Sequence, residues 1–185
     1  MLVGDKVILR ALREEDLPQL MEWRNLPNFK RNFREYRELN MTMQKSWYDK
    51  LVVGDPGTIM FAICEKETKE LLGCCGLCYI NWVQRNADIS LYVGYQESYI
   101  DDEGIAKEAC TLMFDYGFNE LNLHRLWTEL YEYDQAKVDF FTKEFGFNKD
   151  GELRDNHYMD GRWWNSHIYS LLESEYKEAY CDGNN

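Results

Sequence analysis

Lys6 to Arg10, with Val7, Ile8 and Leu9 between two basic residues, reads as a short strand. The acids Glu14, Glu15 and Asp16 then precede Leu17, Leu20 and Trp23, which share one helical face. Acids in a first turn satisfy free N–H groups and favour the positive end of the helix dipole, so the spacing predicts a helix after the strand. Residues 25–40 carry no period and read as an irregular, aromatic and basic segment. Met43, Trp47 and Leu51 define one face of a helix from Thr42 to Val52, which Asp55-Pro56-Gly57 ends.

Three strand-like runs follow, Thr58–Glu65, Leu71–Trp82 and Ala87–Val93, joined by polar turns and predicting an antiparallel meander. A helix over Gly104–Gly117, a strand over His124–Leu130 and a helix capped by Asp134 and stopped by Gly146 come next. Phe147–Leu153 and Trp163–Leu172 alternate like a closing hairpin turned at Asp160-Gly161, and a short helix and polar tail finish the chain. The predicted order is β-α-α-β-β-β-α-β-α-β-β, a mixed α+β domain.

Composition narrows the partners. A length of 185 residues with three prolines and no repeat reads as one domain over 1–176 with a polar tail over 177–185. The net charge of −12 repels nucleic-acid phosphates and anionic membranes, so neither is expected as a partner. The N-terminal residues lack the pattern of a secretory signal, which predicts a cytoplasmic protein. There its six cysteines, Cys181 included, stay reduced. Cys74-Cys75-x-x-Cys78 lies in a strand, where alternation splits the thiols between two faces and no second pair or His completes four ligands. No metal is expected; the thiols read as small buried residues.

Six local stretches occur in register: Val7-Ile8-Leu9-Arg10 with Asp16, Leu71-Leu72-Gly73, Ala87-Asp88-Ile89-Ser90-Leu91, Gly104-Ile105-Ala106-Lys107-Glu108-Ala109, Asn122-Leu123-His124-Arg125-Leu126 and Phe145-Gly146-Phe147. With the element order, they resemble the GCN5-related N-acetyltransferase (GNAT) superfamily, in its RimJ/RimL-type branch. The resemblance implies a mostly antiparallel, twisted sheet flanked by helices and splayed between the family's fourth and fifth strands. It implies transfer of acetyl from acetyl-CoA, as cosubstrate, directly to a primary amine of a small molecule or peptide. A homodimer is compatible with it.

Acyl transfer to an amine needs an anion site for the CoA pyrophosphate, an acid for the departing thiolate and a base for the ammonium. The resemblance implies the first at the N-terminus of the helix after the meander, through Gly104, Ile105, Ala106 and Lys107. The family's Arg or Gln is replaced there by Asp101, followed by Asp102 and Glu103. A carboxylate about 5 Å from a phosphate costs roughly 3 kcal/mol at an effective dielectric near 20, so these acids must point away or serve as helix caps. Leu91, Tyr92, Val93, Gln135 and Phe141 are implied to line the rest of the cofactor. Thr142 stands where relatives carry the acidic Tyr, and its alternative is a hydroxyl bonded within its own helix. Asp88 is the candidate base, with a turn-solvating Asp as the alternative. His124, expected to pack structurally, and His157 compete with it.

Residues 24–37 hold Arg24, Lys30, Arg31, Arg34 and Arg37 against Glu35 alone, in a strongly acidic chain. The resemblance sets this stretch beside the acceptor, with Trp23, Arg24, Phe33, Arg34, Tyr36 and Trp82 as its contacts. Guanidinium groups there fit an acceptor with a phosphate, carboxylate or nucleotide part. Internal ion pairing is the alternative, and the global charge points instead to a cationic amine. A non-catalytic, ligand-binding member of the fold is the second functional reading, motivated by Asp101, Asp102 and Thr142.

Overall fold

The computed structural model describes residues 1–101 and 103–180. Its elements are β1 (Leu2–Val3), β2 (Val7–Ala11), α1 (Leu17–Asn25), α2 (Pro27–Lys30), α3 (Met41–Trp47), β3 (Ile59–Glu65), β4 (Leu71–Asn81), β5 (Asn86–Val93), α4 (Ile105–Asp115), β6 (Arg125–Tyr131), α5 (Gln135–Asp139), β7 (Asn148–Met159), β8 (Arg162–Leu172) and α6 (Glu173–Tyr180). The strands hydrogen-bond in the order β1-β2-β3-β4-β5-β6-β8-β7. The chain forms two compact units, Met1–Tyr79 with Ser90–Met113, and Ile80–Ile89 with the chain from Phe114 onward.

In the first unit β1, β2, β3 and β4 pair antiparallel, with an irregularity between Ile63 and Cys64. β1 and α2 were not foreseen: β1 is too short to show a period, and α2 is a single turn with Pro27 pre-set at its start. α2 carries Phe29 into a core with Ile8, Leu12, Leu20, Cys74, Tyr92 and Tyr99. At Gly73 an added Cβ would stand 2.4 Å from the Tyr92 carbonyl oxygen, so the close approach of β4 to that residue requires glycine.

The turn before α1 is fixed by charge. Asp16 is 6% exposed and accepts two bonds from the Arg10 guanidinium, at 2.8 and 2.7 Å, and one from the Arg13 N–H at 2.9 Å. Burial pushes the Asp16 carboxyl up, but the Arg10 and Arg13 bonds outweigh it and its pKa lies below the ordinary carboxylate value. A depressed folded pKa contributes stability that is present above the unfolded value, near about 4, and is lost as pH falls through the folded value. The expected result is that acid melts the native protein more steeply below pH ~4 than it melts Asp16→Asn, measured by thermal melting across pH. Equal slopes would remove Asp16 from the acid response.

In the second unit the start of β5 pairs parallel with β6, in the register Asn86–Arg125, Ala87–Leu126 and Asp88–Trp127. β6 pairs antiparallel with β8, and β8 with β7. Asp160 and Gly161 make the turn with φ of 54° and 77°, the left-handed pair of a two-residue hairpin loop. β7 runs six residues past its expected end at Leu153, because the register shifts between Leu153 and His157 and the alternation breaks there. Asp134 caps α5 by accepting from the Lys137 N–H at 3.3 Å. The helix continues as a wider π turn over Phe140–Glu144 and Gly146 follows with φ of 71°. Phe114, Phe141, Phe145 and Phe147 are buried, and the Phe114 ring contacts both Phe145 and Phe147.

Candidate active site

The N-terminus of α4 lies in the first unit, and Asp101 occupies it. Its carboxylate accepts from the Ile105 N–H at 2.8 Å and from the Ala106 N–H at 2.6 Å. These are two of the groups expected to meet a pyrophosphate. Gly104, with φ of 91°, makes the turn into the helix. Asp102 lies outside the described residues, as does Cys181. The cation beside this end is one the sequence did not single out: Lys6 Nζ donates to the Glu103 carbonyl at 2.8 Å and would stand 3.7 Å from a Cβ on Gly104. Lys107, the expected cation, is exposed on the first turn. One further turn on, the Glu108 carboxylate accepts from the Lys6 N–H at 3.0 Å, the Val7 N–H at 3.1 Å and the Asp5 N–H. The N-terminus of α4 thus has two of its N–H groups already taken by a carboxylate.

Leu91, Tyr92 and Val93 are buried at the end of β5. The Val93 N–H and carbonyl exchange bonds of 2.9 Å with Tyr99, so its backbone polarity is spent within the fold. Burial raises the Tyr92 hydroxyl pKa well above its ordinary value, and the ring meets Phe29 and Phe33 edge-on.

Asp88, Gln135, Phe141 and Thr142 belong to the second unit. Asp88 is 5% exposed within β5, a buried carboxyl rather than a solvated turn residue. The half-buried Thr142 hydroxyl donates to the Val138 carbonyl at 2.7 Å, one turn back in its helix. Gln135 is exposed and donates to Asp139 at 2.6 Å, and Phe141 is 1% exposed against Phe140 and Phe147. His124 departs from the expected packing: its side chain is 57% exposed and stands 3.6 Å from Glu173. His157 stacks on Tyr131 at 4.0 Å between centroids; burial pushes its pKa down, against the opposing field of Glu129.

The basic segment divides between ion pairs and contacts with aromatic rings. Arg37 pairs with Glu35 at 2.6 Å, holding that carboxyl down to about 2, and Lys30 pairs with Glu38 at 3.1 Å. Arg34 stands 5.9 Å from the Tyr79 ring. The Trp23 ring covers Gly94 so closely that a Cβ there would stand 1.9 Å from it, and Tyr36 is 81% exposed. Phe33 packs against Tyr92 and Tyr99. Arg24 lies 4.8 Å from the Phe33 centroid, and its buried Nε–H has no hydrogen-bond partner. Trp82 is exposed in the turn after β4 and belongs to the second unit. No group of His, Cys, Asp and Glu among the described residues is arranged to hold a metal ion, and no described helix is long and apolar enough to cross a membrane.

The acetyltransferase (GNAT) domain family matches residues 6–147, and the chain belongs to that family. An uncharacterized N-acetyltransferase p20 of Bacillus licheniformis is 33% identical over 116 residues, 63% of this chain and 63% of its own length. The spermidine N(1)-acetyltransferase of Vibrio cholerae is 24% identical over 179 residues, 94% of this chain and 97% of the relative. A crystal structure of the Vibrio cholerae spermidine N-acetyltransferase in complex with CoA and spermine superposes with a TM-score of 0.82 at 24% identity, over 94% of this chain and 99% of that one. The GNAT fold therefore stands, and with it the expected class, an N-acetyltransferase with acetyl-CoA as cosubstrate.

Proposed function

We propose that this chain transfers acetyl directly from acetyl-CoA to the primary amine of a small molecule that also carries a carboxylate or phosphate. Asp88 takes the ammonium proton through water, and Thr142 serves the departing thiolate as the hydrogen-bonding hydroxyl of the RimJ/RimL-type pattern. Arg24 carries the acceptor assignment. Its Nε–H is buried without a partner against an aromatic face. A buried donor left unpaired costs about 1–3 kcal/mol, a cost that an incoming anionic group removes. A polyamine, by contrast, brings only positive charge to a segment already rich in guanidinium groups. The spermidine-acetylating relatives support amine acetylation as the chemistry and leave the acceptor of this chain to its own residues.

Matched acceptors test this. Acetyl transfer to spermidine is compared with transfer to amino acids and aminoalkyl phosphates, for the native protein and Arg24→Gln. The expected result is preference for the anionic acceptors, with KM for them raised about tenfold in the variant. Preference for spermidine would overturn the acceptor class. Acetyl-CoA binding without transfer to any amine would favour a ligand-binding role, the reading that Asp101 on α4 and the Thr142–Val138 bond support.

A further inference from the structure

We propose that cofactor affinity in this chain is set by an exchange of anions at α4, in which the CoA pyrophosphate displaces the Asp101 carboxylate and Lys6 supplies the cation. The inference rests on acetyl-CoA as the donor and goes beyond it in naming the residues that oppose and assist binding. Asp101 already holds the two N–H groups of Ile105 and Ala106, at 2.8 and 2.6 Å. A phosphate cannot share them with a carboxylate, because like charges in contact repel and each N–H makes one strong bond. Binding therefore requires the Asp101 side chain to leave, and the helix end loses one anion as it gains another.

Lys6 is the counterweight. It is not adjacent to α4 in sequence, yet three backbone bonds to Glu108 tie the turn between β1 and β2 to the helix. That tie holds its ammonium over Glu103 and Gly104, at the same helix end. In free protein Lys6 donates to a neutral carbonyl, a partner it can trade for a phosphate oxygen with a gain in charge complementarity. The two residues thus have opposite signs: neutralising Asp101 tightens CoA binding, and neutralising Lys6 weakens it.

Isothermal titration of CoA into the native protein, Asp101→Asn and Lys6→Gln reads both signs. Asn keeps the shape and one accepting oxygen for the helix N–H groups, and thermal melting establishes that each variant is folded. Asp101→Ser, also a good cap, stands in should Asn fail. The expected result is CoA bound about tenfold more tightly by Asp101→Asn and about tenfold more weakly by Lys6→Gln. S-acetylpantetheine, which lacks the pyrophosphate, keeps the same KM as a donor in all three. Unchanged or weaker CoA binding by Asp101→Asn overturns the proposal, as does a tightening that S-acetylpantetheine shares. Native protein that binds CoA while the variants do not differ from it leaves the donor assignment standing and removes this inference alone. Failure of all three to bind CoA removes both.

Discussion

Asp88→Asn is expected to lower the turnover number for amine acetylation about a hundredfold while leaving CoA affinity unchanged. The amine reaches the enzyme as an ammonium and attacks only after losing a proton, so a positioned base contributes to every turnover. Asp88 is 5% exposed within β5, where its side chain is held by its surroundings rather than spread into solvent. Asn has the same shape and can occupy the same place, so packing is preserved while proton acceptance is lost. Two measurements accompany the fall in turnover and separate a base from a structural carboxyl. KM for acetyl-CoA stays constant, and the melting temperature moves little. Native-like turnover in Asp88→Asn would strike this residue from the reaction and leave the ammonium to another group.

The largest effect on stability is expected at Phe29, in the aromatic core of the first unit. Phe29 is 0% exposed and meets Tyr99 and Tyr92 edge-on, at 5.4 and 6.1 Å between centroids. Phe29→Ala removes a whole ring from a packed cluster, which costs about 3–5 kcal/mol through lost burial and the cavity left behind. For a chain of this size that corresponds to a fall in melting temperature of roughly 10 °C, provided unfolding is cooperative. A fall of only a degree or two would mean that the short α2 turn repacks freely and that the aromatic cluster does not hold the first unit together.

Phe29 also shows where the sequence became opaque. It sits between Arg24 and Arg37 in a stretch without periodicity, and nothing local distinguishes a core ring from a substrate-facing one. The contacts that decide it come from Tyr92 and Tyr99, some sixty to seventy positions later. Phe33 and Trp23 were expected to face a ligand, and their contacts with Tyr92 and Gly94 arise in the same non-local way. Features settled by neighbouring residues were legible: the Asp134 cap, the Asp160-Gly161 turn, the meander, and the local stretches that resemble the GNAT family. At α4 the chemistry was half legible. Acids before a helix announce a cap, but only the fold shows that Asp101 takes the N–H groups of Ile105 and Ala106, and that Lys6 arrives from the far end of the chain.

The cysteines bear on how the acetyl group travels. Cys64, Cys74 and Cys75 are buried and free, and burial raises all three thiols above their ordinary pKa, Cys74 and Cys75 by a wide margin. Only the thiolate attacks a thioester at a useful rate, so these side chains remain protonated bystanders at neutral pH. A thiol-rich interior can therefore stand near an activated acyl donor without acylating itself at these positions. Loss of acetyl-CoA to self-modification is suppressed by the same desolvation that packs the strands.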